Sequence, residues 1–130
     1  MQKEMIENNV ILKLTFDFAL SIIDYCQKLD SEKKYVISKQ LLRSGTSIGA
    51  NCFEAQNSES KADFIHKMKV AAKEAEETQY WLLLCEFSES YPSVPELLSK
   101  QEEIGKVLSK ILSTSKRKNP LSYMLSYFMF

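Results

Sequence analysis

Apolar positions along the chain fall into four long stretches that repeat at steps of three and four residues, the spacing that stacks side chains on one face of an α-helix. In the first, residues 8–29, Ile11, Leu14, Phe18, Ile22, Tyr25 and Leu29 form the stripe, and Val10, Phe16, Ala19, Ile23 and Cys26 widen it. A stripe that broad suits a helix touching two neighbours. Asp30 and Ser31 break the pattern, and either suits a cap for the next helix. The second stretch, residues 32–56, carries Tyr35, Leu41, Leu42, Ile48, Cys52, Phe53 and Ala55. In the third, residues 60–87, Phe64, Met68, Ala71, Ala75, Thr78, Leu82 and Cys85 alternate steps of four and three, a heptad seam. Ser60 with Asp63 resembles a capping box at its start. The fourth opens on Ser93-Val94-Pro95-Glu96, with serine at the cap and proline in the first turn, and carries Leu97, Leu98, Ile104, Val107, Leu108, Ile111 and Leu112. Four long helices with short connectors predict an all-α, up-down-up-down antiparallel four-helix bundle over residues 1–115, followed by a basic-then-aromatic C-terminal tail, residues 116–130.

Three places depart from that pattern. Gly45 and Gly49 lie four apart inside the second stretch, so they share a helical face with almost no side chain. Each glycine costs a helix roughly 1 kcal/mol relative to alanine, so the pair predicts a neighbouring backbone or bulky ring approaching closely there. The rival reading is a loop that splits the stretch in two. Gly45, Ile48 and Gly49 are therefore candidates for helix packing or a subunit interface, and all three glycines are read as close contacts rather than turns. Residues 80–85, Tyr-Trp-Leu-Leu-Leu-Cys, are apolar on nearly every side, which predicts self-association with Tyr80, Trp81 and Leu84 in the contact. The tail ends in ten residues without a charge, Leu121 to Phe130. It packs on the bundle or a neighbouring subunit, dips with its basic triplet into a membrane interface, or is an extension without a role.

Composition narrows the class. Three glycines and three prolines in 130 residues are too few for the turns of a sandwich or barrel, and 45% hydrophobic residues are too many for a disordered chain. Seventeen basic and seventeen acidic residues cancel, but unevenly. Residues 33–73 hold eight Lys/Arg against three acids, residues 74–103 eight acids against Lys100, and residues 104–130 five cations and no acid. The third helix is thus cationic first and anionic later, against its macrodipole. Lys39, Arg43, Lys67, Lys69 and Lys73, with residues 116–118, are candidates for contacting RNA or DNA phosphates; ordinary solvated helix faces are the alternative. No stretch reaches the roughly 18 apolar residues of a membrane span, and the start lacks the charged-then-apolar order of a secretory signal. Cys26, Cys52 and Cys85 are odd in number and widely spaced, so they read as buried, reduced thiols of a cytoplasmic protein.

Catalytic patterns are nearly missing. A di-iron bundle needs two Glu-x-x-His pairs, and His66, with Asp63 before it, is the single histidine. A Ser/His/Asp or Cys/His nucleophile would need that same histidine, without a nucleophile elbow beside it. Glu74, Glu76 and Glu77 read as a solvated face, with Lys73 and Glu77 an i,i+4 pair. No phosphate loop follows a strand. No catalytic residue, cofactor, metal or small-molecule substrate is therefore expected.

Leu41-Leu42-Arg43-Ser44-Gly45-Thr46-Ser47-Ile48-Gly49-Ala50-Asn51-Cys52-Phe53-Glu54-Ala55, with Asp63-Phe64-Ile65 and Glu74-Ala75-Glu76-Glu77-Thr78-Gln79-Tyr80-Trp81-Leu82, resembles the bacterial four-helix-bundle proteins encoded in 23S ribosomal RNA intervening sequences. The resemblance covers residues 8–115. It implies an up-down bundle that assembles as a homopentamer without catalytic activity. That family is also similar to the accessory proteins of diversity-generating retroelements, basic pentamers that bind a reverse transcriptase and nucleic acid. The neutral net charge here departs from theirs. Under the resemblance Gly45 and Gly49 permit close helix contact, Asn51 and Glu54 are polar members of the motif helix, and Tyr80, Trp81 and Leu82 lie in packing or subunit contacts.

Overall fold

A computed structural model of the chain describes residues 2–115. A short helix, α1 (Gln2–Glu7), precedes four long ones: α2 (Val10–Ser31), α3 (Tyr35–Ala55), α4 (Lys61–Phe87) and α5 (Pro95–Ser115). The apolar periodicity does not extend to α1, which has no buried residue of its own. Asn9 separates it from α2 and caps the latter, its side chain accepting the Leu12 N–H at 3.3 Å.

Each long helix packs on its neighbours in chain order, and α5 returns to α2, which closes the ring of an antiparallel four-helix bundle. Contacts between distant residues set the directions. The start of α2 meets the residue after α3 through Asn9 and Gln56, and Cys26 and Ser38 exchange side-chain bonds to each other's carbonyls. Thr78 of α4 lies 2.9 Å from Ser44 of α3, and Gln101 of α5 donates to the Ala75 carbonyl of α4 at 3.0 Å. The centre is filled by Ile22, Leu29, Leu41, Ile48, Phe64, Met68, Leu82, Ile104, Leu108 and Ile111, all fully buried.

The helix ends follow local chemistry with three differences from the sequence reading. The first is that Asp30 and Ser31 belong to the last turn of α2 and neither caps α3, whose N-cap position is Lys34 with no side-chain cap bond. Ser60 caps α4 by accepting the Asp63 N–H at 3.0 Å, while the Asp63 carboxylate reaches back to Glu59 N rather than to the cap itself. Ser93 does not cap α5. Its hydroxyl donates to Glu86, and the Glu86 carboxylate also accepts the Val94 N–H at 2.6 Å, so an acid from the end of α4 serves the start of α5. Between α2 and α3, Lys33 turns the chain in the left-handed region at φ 62°, and Lys34 N–H bonds the Leu29 carbonyl.

The second stretch is one unbroken helix, so the loop reading of residues 43–51 is wrong. A Cβ on Gly45 would stand 3.0 Å from Ile22 Cγ1 and Cγ2, and one on Gly49 would stand 3.2 Å from Thr15 Oγ1. These glycines let α3 press against α2. Gly105 is different, with nothing within 4 Å of the position its Cβ would take, so the close-contact reading fails there. Among the described residues no helix is long and apolar enough to cross a membrane.

Candidate interaction surfaces

Because α4 is antiparallel to α3, its last turns stand beside the first turns of α3. The seam residues Thr78, Leu82 and Cys85 point into the bundle, which leaves Tyr80, Leu84 and Phe87 on the opposite side of the helix. Phe87 is 82% exposed and Tyr80 58%. The Ser44–Thr78 pairing sets the register that brings Val36, 77% exposed, to the level of the last turn of α4. An apolar edge of Val36, Tyr80, Leu84 and Phe87 results, on a surface where single exposed apolar residues are ordinary but clusters are not. Val36 and Phe87 are not interface candidates by sequence. A lone valine at a helix start and a phenylalanine at a helix end carry no periodic signal.

The other interface candidates divide. Tyr80 and Leu84 face outward, whereas Trp81 is half-buried and held within the chain. Its Nε1–H donates to the Glu77 carboxylate at 2.9 Å, and its ring meets Tyr80 edge-on with centroids 5.3 Å apart. Gly45 and Ile48 are buried in the bundle's own core and Gly49 is half-buried beside Thr15.

The five cationic candidates are not gathered into one cluster. Arg43 spans to α4, bonding Glu74 at 3.2 Å and also Glu77. Glu77 is therefore turned to Arg43 and Trp81 instead of Lys73, and the glutamates are not merely a solvated face. The Trp81 and Arg43 hydrogen bonds hold the Glu77 carboxyl below the usual carboxylate range. Lys69 and Lys73 are exposed on one face of α4, one turn apart, while Lys67 is half-buried and turned toward the other side of the helix. Lys39 stands exposed on α3, beyond the Arg43 pair.

A second apolar surface lies at the other end, over the α2–α3 seam and beside α1. Phe16, Ala19, Gly49, Ala50 and Phe53, with Ile6 of α1, line a groove of about 520 Å³. Small side chains at Ala19, Gly49 and Ala50 make the space. The tail, for which the sequence leaves three readings, lies outside the described residues.

The thiols are in the core. Cys26, Cys52 and Cys85 are free and buried. Burial pushes the Cys26 thiol up to about 11 and the Cys52 thiol up to about 12, so both are protonated and poor nucleophiles at neutral pH. Burial likewise raises Tyr25, whose hydroxyl donates to the Pro92 carbonyl at 2.7 Å. His66 is exposed, and among the described residues no three His, Cys, Asp or Glu side chains gather where they could hold a metal.

Comparison with known proteins agrees with this architecture. A search of curated proteins gives no match. The chain is similar to a solved structure described as a protein of unknown function from the S23 ribosomal protein family of Bacteroides thetaiotaomicron. The two share 42% identity and a TM-score of 0.75, over 80% of this chain and 99% of that one. The model of the 23S rRNA-intervening sequence protein family matches residues 7–110, the whole of α2 to α4 and most of α5. With its antiparallel bundle, its glycine-bearing α3 pressed on α2 and that match, the chain belongs to the 23S rRNA-intervening sequence protein family.

Proposed function

We propose that this protein is a non-catalytic, homo-oligomeric helical scaffold, pentameric as the family resemblance implies, whose subunits meet through the α3–α4 edge. The observation that carries the reading is that edge: Val36, Tyr80, Leu84 and Phe87 stay exposed although the bundle core is complete without them. In a ring the contact is heterologous, so the edge meets a different surface of the next copy, and Leu20 and Ile23 on α2 offer exposed apolar side chains. Light scattering coupled to gel filtration tests it. The wild type should elute at five times the 15.0 kDa chain mass, and Leu84→Glu with Phe87→Glu should shift it toward one chain without loss of helix signal. A single-chain mass for the wild type at micromolar concentration would overturn the proposal.

A second reading adds RNA or DNA binding. It rests on Lys69 and Lys73, exposed side by side on α4. Retention of structured RNA at low salt should fall steeply as salt rises and weaken in Lys69→Ala/Lys73→Ala. No retention at low salt would remove this reading and leave the scaffold standing. The buried, protonated thiols support a cytoplasmic location.

A further inference from the structure

Helices α4 and α5 leave a recess of about 410 Å³ between them, lined by Ala72, Ala75 and Glu76 on one side and Gln101, Glu102 and Gly105 on the other. Gly105 gives it width. A Cβ there would meet nothing within 4 Å, so open space stands where any other residue would place its side chain. In the lining, Gln101 is only 4% exposed. Its Nε2 donates to the Ala75 carbonyl at 3.0 Å, but its Oε1 is buried without a hydrogen-bond partner among the described residues. A buried acceptor left unmet destabilises a fold, and an apolar side chain at this seam position, like Ile104 and Leu108 after it, would carry no such cost. The recess is also anionic. Glu76 and Glu102 are exposed at its rim, and no ion pair among the described residues involves either. Lys106, one turn beyond Glu102, is the single cation on the lining.

We propose that this recess binds a guanidinium group on an alkyl stem, either an arginine of a partner protein or a free small guanidine. This goes beyond the assembly reading and does not depend on it. The guanidinium is a planar fork of N–H donors with no acceptor of its own, so one group can meet the Gln101 Oε1 and the two carboxylates together. It is also more weakly hydrated than an ammonium, which lowers the cost of entering a recess walled in part by Ala72, Ala75 and Gly105. The alkyl stem lies along those small residues while the charged head reaches the acceptors. The size suits the ligand. Small-molecule sites run from about 300 to 1,000 Å³, so a single alkylguanidinium fits a recess at the low end of that range, with room for bridging water.

The full chain, carbon-13 labelled at its alanine methyls, is titrated with butylguanidinium at low salt. The Ala72 and Ala75 methyls should shift and saturate, with a dissociation constant of about 1 mM for so small a ligand, while Ala50 in the α2–α3 groove stays unmoved. Gly105→Leu places a side chain in the open space and should abolish the shifts with the helix signal intact. Gln101→Leu removes the acceptor and keeps an apolar seam, and should weaken binding about tenfold. Glu76→Gln with Glu102→Gln should weaken it about fivefold and reduce its salt dependence. Butylammonium should bind more weakly than butylguanidinium. A capped alanine peptide with one central arginine distinguishes the sources: tighter binding than butylguanidinium assigns the group to a partner protein, and equal or weaker binding to a free guanidine. Unmoved Ala72 and Ala75 methyls, shifts that survive Gly105→Leu, an affinity unchanged by Gln101→Leu, or equal affinity for butylammonium would overturn the proposal. A single-chain molar mass in light scattering would defeat the assembly proposal alone and leave these methyl shifts intact.

Discussion

Replacing Gly45 by alanine sets two opposed terms against each other, and Gly105 supplies the control. Both sit inside helices, so both substitutions gain about 1 kcal/mol of helix propensity. At Gly105 the new methyl meets nothing within 4 Å, and the gain is kept. At Gly45 it meets Ile22 Cγ1 and Cγ2 at 3.0 Å and Cδ1 at 3.3 Å. Carbon atoms prefer roughly 3.5–4.0 Å, so the gap is short by about half an ångström at two atoms together. Ile22 is 0% exposed, and close packing of an interior leaves a buried side chain little room to retreat. Overpacking of this kind costs about 1–3 kcal/mol, which outweighs the propensity gain. The net expectation is a loss of about 0–2 kcal/mol for Gly45→Ala against a gain near 1 kcal/mol for Gly105→Ala. Urea unfolding followed by far-UV circular dichroism reads the difference, at one protein concentration because association adds to apparent stability. With a slope of about 1–3 kcal/mol per molar, the two midpoints should differ by around 1 M. If Gly45→Ala matched or exceeded Gly105→Ala, the close approach of α3 to α2 would not constrain the fold.

Lys33→Gly should stabilise the protein by about 1 kcal/mol in the same assay, because a non-glycine residue now holds the left-handed turn at φ 62°. Arg43→Ala should raise the Glu77 carboxyl toward its ordinary value in a carbon-13 NMR titration. A depressed folded value stabilises above the unfolded carboxylate range and is lost as pH falls through it, so the stability gap to wild type should close in acid. At neutral pH the gap should be under about 1 kcal/mol and shrink with salt, as for other exposed pairs. Iodoacetamide at pH 8 should leave all three cysteines unmodified in the folded protein and alkylate all three in denaturant, by intact mass; rapid native labelling of Cys52 would contradict its burial.

Periodicity makes the bundle legible because a helix that must bury one face carries that demand in its own residue order. Ile22, Leu41, Ile48, Leu82 and Leu108 are all readable as core on that basis, and they are fully buried. Helix caps are less legible. Ser60 acts as its local motif predicts, but the start of α5 is satisfied by Glu86, seven residues before Ser93, through a turn no local motif encodes. The Glu74–Glu77 group escapes a local reading for the same reason, since its partner Arg43 lies on another helix more than thirty residues earlier.

By its own order of residues the chain determined the number and extent of the long helices, their antiparallel arrangement and the buried state of its thiols. Side-chain period and cap chemistry act within a few residues, so they can be read along the line. What the tertiary structure decided was which outward residues lie together. It paired Val36 with the end of α4, opened a groove between Phe16 and Phe53, split Arg43 from the lysines of α4, and separated Gly45 from Gly105, identical residues in helices of the same length. Each depends on the register between helices, which is fixed by packing across the core and leaves no mark on the local sequence.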